Sequence, residues 1–262
     1  MNILDKIIAH KRLEVLEDRI NLPIQELQQM AGFHRKPFSL RQSLLQPGST
    51  GIIAEFKRQS PSKGVINAKA DVVDVTGAYA ANGAAALSVL TDRKFFGGSN
   101  EDLQRARINN IPVLRKDFIV DEYQIVEARA IGADVILLIA ACLTPEEVKR
   151  LAAFAKELQL EVLLEIHNED ELKHICDECD VVGVNNRDLK TFTVDVNRSI
   201  NLSAKIPAGK VKISESGIAD TDTILRLRDA GFRGFLIGEN FMKQPDPAIA
   251  FASFVKHLKT QT

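Results

Sequence analysis

Beyond residue 50 the apolar positions along the chain fall into a recurring pattern. A short, nearly continuous apolar run ends in glycine or polar residues, and a stretch with apolar positions at helical spacing follows it. Eight such runs succeed one another: "GIIAEFK", "AALSVLT", "IPVLRKD", "ADVILLIA", "LEVLLEIH", "DVVGVNN", "KVKISES" and "FRGFLIGE". The stretches between them carry helix punctuation. In "TPEEVKRLAAFAKELQL", Thr144 stands as N-cap, Pro145 at the first helical position and Glu147 three residues after the cap, the spacing of a capping box. "ADTDTILRLRDAGF" places Gly231 where a helix C-cap belongs. Strands alternating with helices predict a parallel sheet, because parallel strands need helical crossovers. Strands apolar on both faces predict that both faces are covered.

Eight units in about 200 residues match a (β/α)8 barrel, the TIM barrel, in number and length. A doubly wound open sheet is the rival, but it would carry a glycine fingerprint after its first strand, and "KRQSPSKG" is not one. The first 48 residues lie outside the repeat. "NILDKIIAHKRLEVL" has apolar residues at helical spacing, Pro23 opens a second short helix, and "SLRQSLLQ" reads as a third. Residues 1–48 are therefore expected as an N-terminal helical extension packed on the barrel of residues 49–262, too short for a core of its own.

Side chains alternate direction along a strand, and barrel enzymes place their chemistry at the C-terminal strand ends. In the first run Glu55 and Lys57 share a face with Ile53. Lys116 is in phase with Leu114, Glu165 with Leu163, Asn185 with Gly183, and Glu215 with Ile213, while Arg187 lies just beyond Asn185. Any one of these is explained by a strand-end charge reaching solvent. Together they place charges of both signs around one expected mouth, where neighbouring groups shift one another's pKa values. "SESGI" and "LIGEN" add glycine turns, at Gly217 and Gly238, after the seventh and eighth runs. Loops at those two positions of this fold often bind phosphate.

Bulk properties narrow the field. Of 262 residues, 45% are hydrophobic and 26% charged, as in a globular protein with a sizeable core. The formal net charge of −1 gives no general case for nucleic acid or an anionic membrane. No apolar run approaches membrane-span length, and the N-terminus lacks the uninterrupted apolar core of a secretory signal, so a cytoplasmic protein is expected. "CDEC", holding Cys176 and Cys179, lacks the second ligand pair of a zinc site and the strand-then-helix setting of a redox motif; these cysteines and Cys142 are read as ordinary thiols. A monomer is expected, since nothing marks a self-complementary surface.

The segments "IIAEFKRQSPSKG", "VLRKDFIVDEYQI", "LLEIHNEDEL", "VGVNNRDLKTF", "ISESGI" and "FLIGENFM" resemble, in order over essentially the whole chain, those of the indole-3-glycerol-phosphate synthase family of tryptophan biosynthesis, in its monofunctional form. The resemblance implies one small phosphorylated substrate, 1-(2-carboxyphenylamino)-1-deoxyribulose 5-phosphate. It implies ring closure, loss of CO2 and loss of water to give indole-3-glycerol phosphate, with no metal or organic cofactor. By the same resemblance Lys116 is the general acid of ring closure, Lys57 holds the substrate carboxylate, and Glu165 is the base of dehydration. Lys57 and Lys116 both remain open as the second acid. Glu55 orients the lysines, Asn185 hydrogen-bonds sugar hydroxyls or the ketone oxygen, and Glu215 lines the mouth. Ser60, Ser216, Gly217, Gly238 and the backbone at Glu239 match phosphate and loop positions, and Arg187 a residue bracing the mouth. Phe96, Phe118, Leu137 and Leu189 match the apolar wall around the aryl ring. Some family members have Ser at position 239, so the Glu239 side chain is expected to turn to solvent. The loop "RQSPSKG" is expected to act as a mobile flap.

Three other functions stay in view. Lys116 forming a Schiff base would make the protein an aldolase or isomerase of a sugar phosphate. A catalytically silent barrel could bind a phospholigand. Nucleic-acid binding has no basic patch or aromatic platform to support it.

Overall fold

The eight apolar runs become eight parallel strands that close on themselves in a computed structural model describing residues 3–188 and 191–261. They are β1 (Ile52–Phe56), β2 (Ala86–Leu90), β3 (Val113–Lys116), β4 (Val135–Ile139), β5 (Glu161–Ile166), β6 (Val181–Asn185), β7 (Val211–Glu215) and β8 (Gly234–Ile237). Each pairs with its neighbour in sequence, and β1 pairs with β8 to complete a (β/α)8 TIM barrel. The strands are buried on both faces, and their side chains divide by parity. Ile53, Leu114, Leu137, Leu163, Ile213 and Leu236 fill the barrel interior. Ile52, Ala54, Ile136, Leu138 and Leu164 pack outward against the helices. Each fully buried Leu or Ile side chain among these contributes about 1.5–3 kcal/mol.

The helix punctuation read from the sequence is present. Thr144 and Glu147 form a reciprocal capping box at the start of the helix Pro145–Glu157. Gly231 takes a left-handed φ of 87° after the helix Thr221–Asp229. The stretch before β6 holds a 3-10 helix, Glu169–His174. Beyond it Lys210 Nζ donates to the carbonyls of Cys176, Asp177 and Cys179, so an ammonium rather than helical N–H groups satisfies that backbone. Cys176 and Cys179 sit in the resulting turn with Sγ atoms 3.4 Å apart. The loop after β1 also has order of its own, a two-residue hairpin pairing Gln59–Ser60 with Gly64–Val65.

The N-terminal segment contributes α1 (Ile3–Asn21), α2 (Ile24–Leu27) and α3 (Leu40–Leu45). Leu40 and Leu44 of α3 join the interior cluster and plug the barrel floor. Val15 and Leu27 pack with Tyr123, Val126 and Ala130 of the helix Glu122–Ile131. Tyr123 Oη caps the end of α1 by donating to the carbonyls of Asp18 and Leu22.

Apolar spacing misassigns the buried stripe of α1. Leu13, Leu16 and Ile20 are exposed, while the buried positions are Ile7, Lys11 and Val15. Lys11 is buried because its ammonium lies 2.8 Å from Glu14, 3.1 Å from Asp92 and 3.0 Å from Asp117, the last two on loops following β2 and β3. Burial alone would lower the Lys11 pKa, but these carboxylates outweigh it and raise it. Burial would likewise raise Asp117, yet Lys11 and Arg115 pull it down to about 2.

Lys11→Met should leave the buried Asp92 side chain without its ammonium partner, at a cost of about 3 kcal/mol, read as a lower urea midpoint. The stability contributed by the raised Lys11 is present below its ordinary value of 10.5 and lost as pH rises above it. That contributed by Asp117 is present above its ordinary value of 3.8 and lost as pH falls through about 2. The variant's deficit should therefore persist across the neutral range; a wild-type midpoint in the variant would refute the bridging role.

Candidate active site

Because the inward parity of each strand continues to its C-terminal end, the interior file of apolar side chains gives way to charged ones at the mouth. Glu55, Lys57, Lys116, Glu165, Asn185 and Glu215 line one cavity of about 560 Å3, a size suited to a small organic ligand. Ser60, Phe96, Phe118, Leu137, Arg187, Ser216, Gly217, Gly238 and Glu239 line the same cavity. Leu189 lies outside the described residues. Three apolar residues of α1, Ile3, Leu4 and Ile7, also reach this cavity, so the extension forms part of its wall. Sequence gave no sign of that, because a helix outside the repeat carries nothing that states which barrel end it covers.

Lys116 is the electrostatic centre. Its Nζ lies 3.2 Å from Glu165 Oε2 and 3.5 Å from Glu215 Oε2. Burial works to lower its pKa, but Glu165, Glu215 and Glu55 prevail and raise it, so Lys116 is an ammonium. Burial pushes Glu165 up, and Lys116, then His167 and Asn185, bring it well below the usual carboxylate range. Glu215 goes the other way. Burial, with the charges of Glu165 and Glu55, lifts it to about 8 against the pull of Lys116. Two neighbouring carboxyls are thus driven apart, one ionised and one protonated at neutral pH, which is how acid and base roles are separated in one site.

Glu55 and Lys57 pair directly, Nζ to Oε1 at 2.5 Å, which accounts for a buried glutamate at the end of an apolar strand. Asn185 Nδ2 donates to Glu165 Oε1 at 3.2 Å, and its Oδ1 accepts from the Arg187 N–H at 3.0 Å. The Phe96 and Phe118 rings stand 5.9 Å apart at the apolar side of the mouth, and Leu137 is buried in the barrel interior below them.

At the turn after β7, Ser216 and Gly217 both have left-handed φ, 68° and 77°. Such a conformation is unusual for serine. The buried Asn186 holds it, donating to the Ser216 carbonyl at 3.0 Å and to Ser214 Oγ at 2.9 Å. Gly238 has an ordinary φ; glycine is needed there because a Cβ would come within 2.6 Å of Glu55 Oε1. The Glu239 side chain is half-buried: it is partly open to solvent and also accepts from Arg187 Nη2 at 3.2 Å and lies 3.5 Å from Lys63 Nζ.

Among the residues missed in the sequence, His167 is the most telling. It is buried, and its Nε2 lies 3.3 Å from Glu165 Oε1. It stands two positions after Glu165, so the same alternation that picked out Glu165 could have found it. Lys63 and Lys243 also reach the cavity from loops, where no periodicity points to them.

The sequence model of the family described as Indole-3-glycerol phosphate synthase matches residues 4–254. A protein of Bacteroides thetaiotaomicron named indole-3-glycerol phosphate synthase is 49% identical over 260 residues, covering 98% of this chain and 99% of its own. Proteins of the same name from Polaromonas sp. (strain JS666) and Acinetobacter baumannii are 44% and 43% identical, each alignment covering 96% of this chain and 97% and 94% of the relative.

Proposed function

The chain belongs to the indole-3-glycerol phosphate synthase family, and from that premise we propose how its cavity divides one reaction among its side chains. It is a carbon–carbon lyase of tryptophan biosynthesis, converting 1-(2-carboxyphenylamino)-1-deoxyribulose 5-phosphate to indole-3-glycerol phosphate, CO2 and water. An arene carbon attacks the substrate ketone, and Lys116 protonates the developing alkoxide. Lys57 holds the carboxylate until the ring-closed intermediate loses it as CO2, with Glu55 fixing that lysine. Glu165 then removes the ring proton while the hydroxyl leaves as water, protonated by Lys57 or Lys116. Asn185 hydrogen-bonds the sugar hydroxyls or the ketone oxygen. Ser60, Ser216, Gly217, Gly238 and the backbone at Glu239 receive the phosphate, and Phe96, Phe118 and Leu137 receive the aryl ring. The hairpin loop after β1 closes over the bound substrate as a flap. The enzyme acts as a cytoplasmic monomer.

The observation that carries these roles is the Lys116–Glu165 contact of 3.2 Å inside a shared cavity. It also supports their order. While Lys116 is charged, Glu165 is a weak base. Once Lys116 has given its proton to the alkoxide, Glu165 loses its strongest partner and becomes more basic, as dehydration requires; on this order Lys57 protonates the departing hydroxyl, and Lys116 could do so only after regaining a proton. A Schiff-base role for Lys116 would need the free amine, which the surrounding carboxylates oppose. Incubating the protein with the anilino-ribulose phosphate should produce indole absorbance and fluorescence together with CO2; borohydride trapping of an adduct on Lys116 instead would overturn the acid role.

The two glycine turns are expected to differ. Gly217→Ala strains a left-handed turn beside the phosphate positions and should raise KM several-fold with kcat little changed. Gly238→Ala displaces Glu55 and so should lower kcat as well. Equal kinetic effects from the two changes would count against separate roles.

A further inference from the structure

Lys116 alone does not explain why Glu165, rather than Glu215, is the ionised carboxyl. Its ammonium approaches the two almost equally, at 3.2 Å and 3.5 Å. Both carboxyls are buried, on β5 and β7. What differs is the second oxygen. Glu165 Oε1 has Asn185 Nδ2 at 3.2 Å and His167 Nε2 at 3.3 Å, whereas Glu215 Oε1 is buried with no hydrogen-bond partner among the described residues.

The His167 ring lies between two carboxylates. Nε2 faces Glu165 at an ion-pair distance, and Nδ1 is 3.4 Å from Glu171 Oε2. Nδ1 hydrogen-bonds Glu171, whereas Nε2 makes no hydrogen bond among the described residues and acts on Glu165 Oε1 through charge at 3.3 Å. Two carboxylates this close on either side of the ring favour the imidazolium. Glu171 is itself held in place, accepting from the His167 N–H at 2.6 Å and from Asn168 Nδ2 at 2.9 Å. The other titratable groups packed around this pair are the Cys142 thiol, raised by burial and then by Glu165 and Glu171, and the His174 ring, which is bonded to the Leu143 and Glu171 carbonyls. Lys116 meets Glu165 at its other oxygen, Oε2, and stands 3.5 Å from Glu215.

We propose that His167, as an imidazolium wedged between Glu165 and Glu171, is the positioning residue that makes Glu165 the ionised member of the Glu165–Glu215 pair and so designates it as the base. His167 does not line the cavity and acts through Glu165 alone; the inference rests on the assignment of Glu165 as base. Its own titration agrees. Burial would lower His167, but the two carboxylates raise it to about 9, so it is charged across the neutral range.

The test compares wild type, His167→Asn and Glu171→Gln by kcat against pH and by 13C NMR of side-chain-carboxyl-labelled glutamate, with indole formation as the activity readout. In the wild type, kcat should hold on the acid side and one buried carboxyl should titrate near 8. In His167→Asn the acid limb should move up by about one pH unit, roughly a tenfold loss of kcat at a fixed pH below it, with KM little changed. The Glu165 carboxyl resonance should move with it. Glu171→Gln, which keeps the ring but weakens its charge, should shift both in the same direction by less. In the wild type at pH 7, 15N shifts should show both His167 ring nitrogens protonated. A neutral tautomer at pH 7, or an unmoved acid limb and Glu165 titration in a folded His167→Asn, would overturn the inference. A wild type that forms no indole would refute the proposed reaction instead, and the NMR titrations would still decide the role of His167.

Discussion

Lys116→Ala is expected to lower kcat by about 10²–10⁴, the usual worth of a positioned general acid, with the fold retained by circular dichroism. Two effects act together. The proton donor for the ring-closing alkoxide is gone, and Glu165 and Glu215 lose the ammonium that stands 3.2 Å and 3.5 Å from them. The second effect brings Glu165 up toward protonation, because burial already pushes it that way and Lys116 is the largest force opposing it. The variant's acid limb should therefore also stand at a higher pH than that of the wild type, and raising the pH should recover part of its activity but not all. Barrel packing should survive, since the apolar file below Lys116, including Leu114 and Leu163, is untouched. Near-normal turnover at neutral pH would show that another group donates the proton.

Glu165→Gln is expected to cut indole formation by a comparable factor, about 10²–10⁴, but to stop the reaction at a different point. The glutamine keeps the shape and can still accept from Asn185, so substrate binding should change little. Ring closure needs Lys116 as acid, and decarboxylation needs the carboxylate held at Lys57. Neither step uses the carboxylate of residue 165. With one carboxylate fewer beside it, Lys116 becomes a stronger acid. In a single turnover CO2 should therefore appear without the indole chromophore, leaving a ring-closed, hydroxylated intermediate. If CO2 release and indole formation fall in step, Glu165 acts before decarboxylation and the division of roles given above is wrong.

Much of this site was legible along the chain because the relevant signals are local. Alternation carries Glu55 up from Ile53, Lys116 from Leu114 and Glu165 from Leu163, and once the barrel is recognised the direction of those side chains follows. His167 obeys the same alternation, as Lys57 does one step beyond β1; what alternation does not carry is its pairing with Glu171, which depends on the turn after β5. Lys11 could not be found this way. It occupies a helical position where the pattern asks for an apolar residue, and its partners Asp92 and Asp117 arrive from two separate loops. The contacts of Glu239 with Arg187 and Lys63 were out of reach for a similar reason, neither partner being a neighbour in sequence.

The amino-acid order on its own determined the eight alternating units, the parity of each strand, the helix caps at Thr144 and Gly231, and the set of charged side chains at the strand ends. All of these arise from backbone sterics, hydrogen bonding and hydrophobic periodicity acting over a few residues. Only the closed barrel decided which of those charges share an atom's reach: Lys116 between Glu165 and Glu215, His167 against one of them, and the α1 residues over the mouth. Charge interactions depend on separation and on the surrounding dielectric, and both are set by strands that meet in space after long intervals of chain.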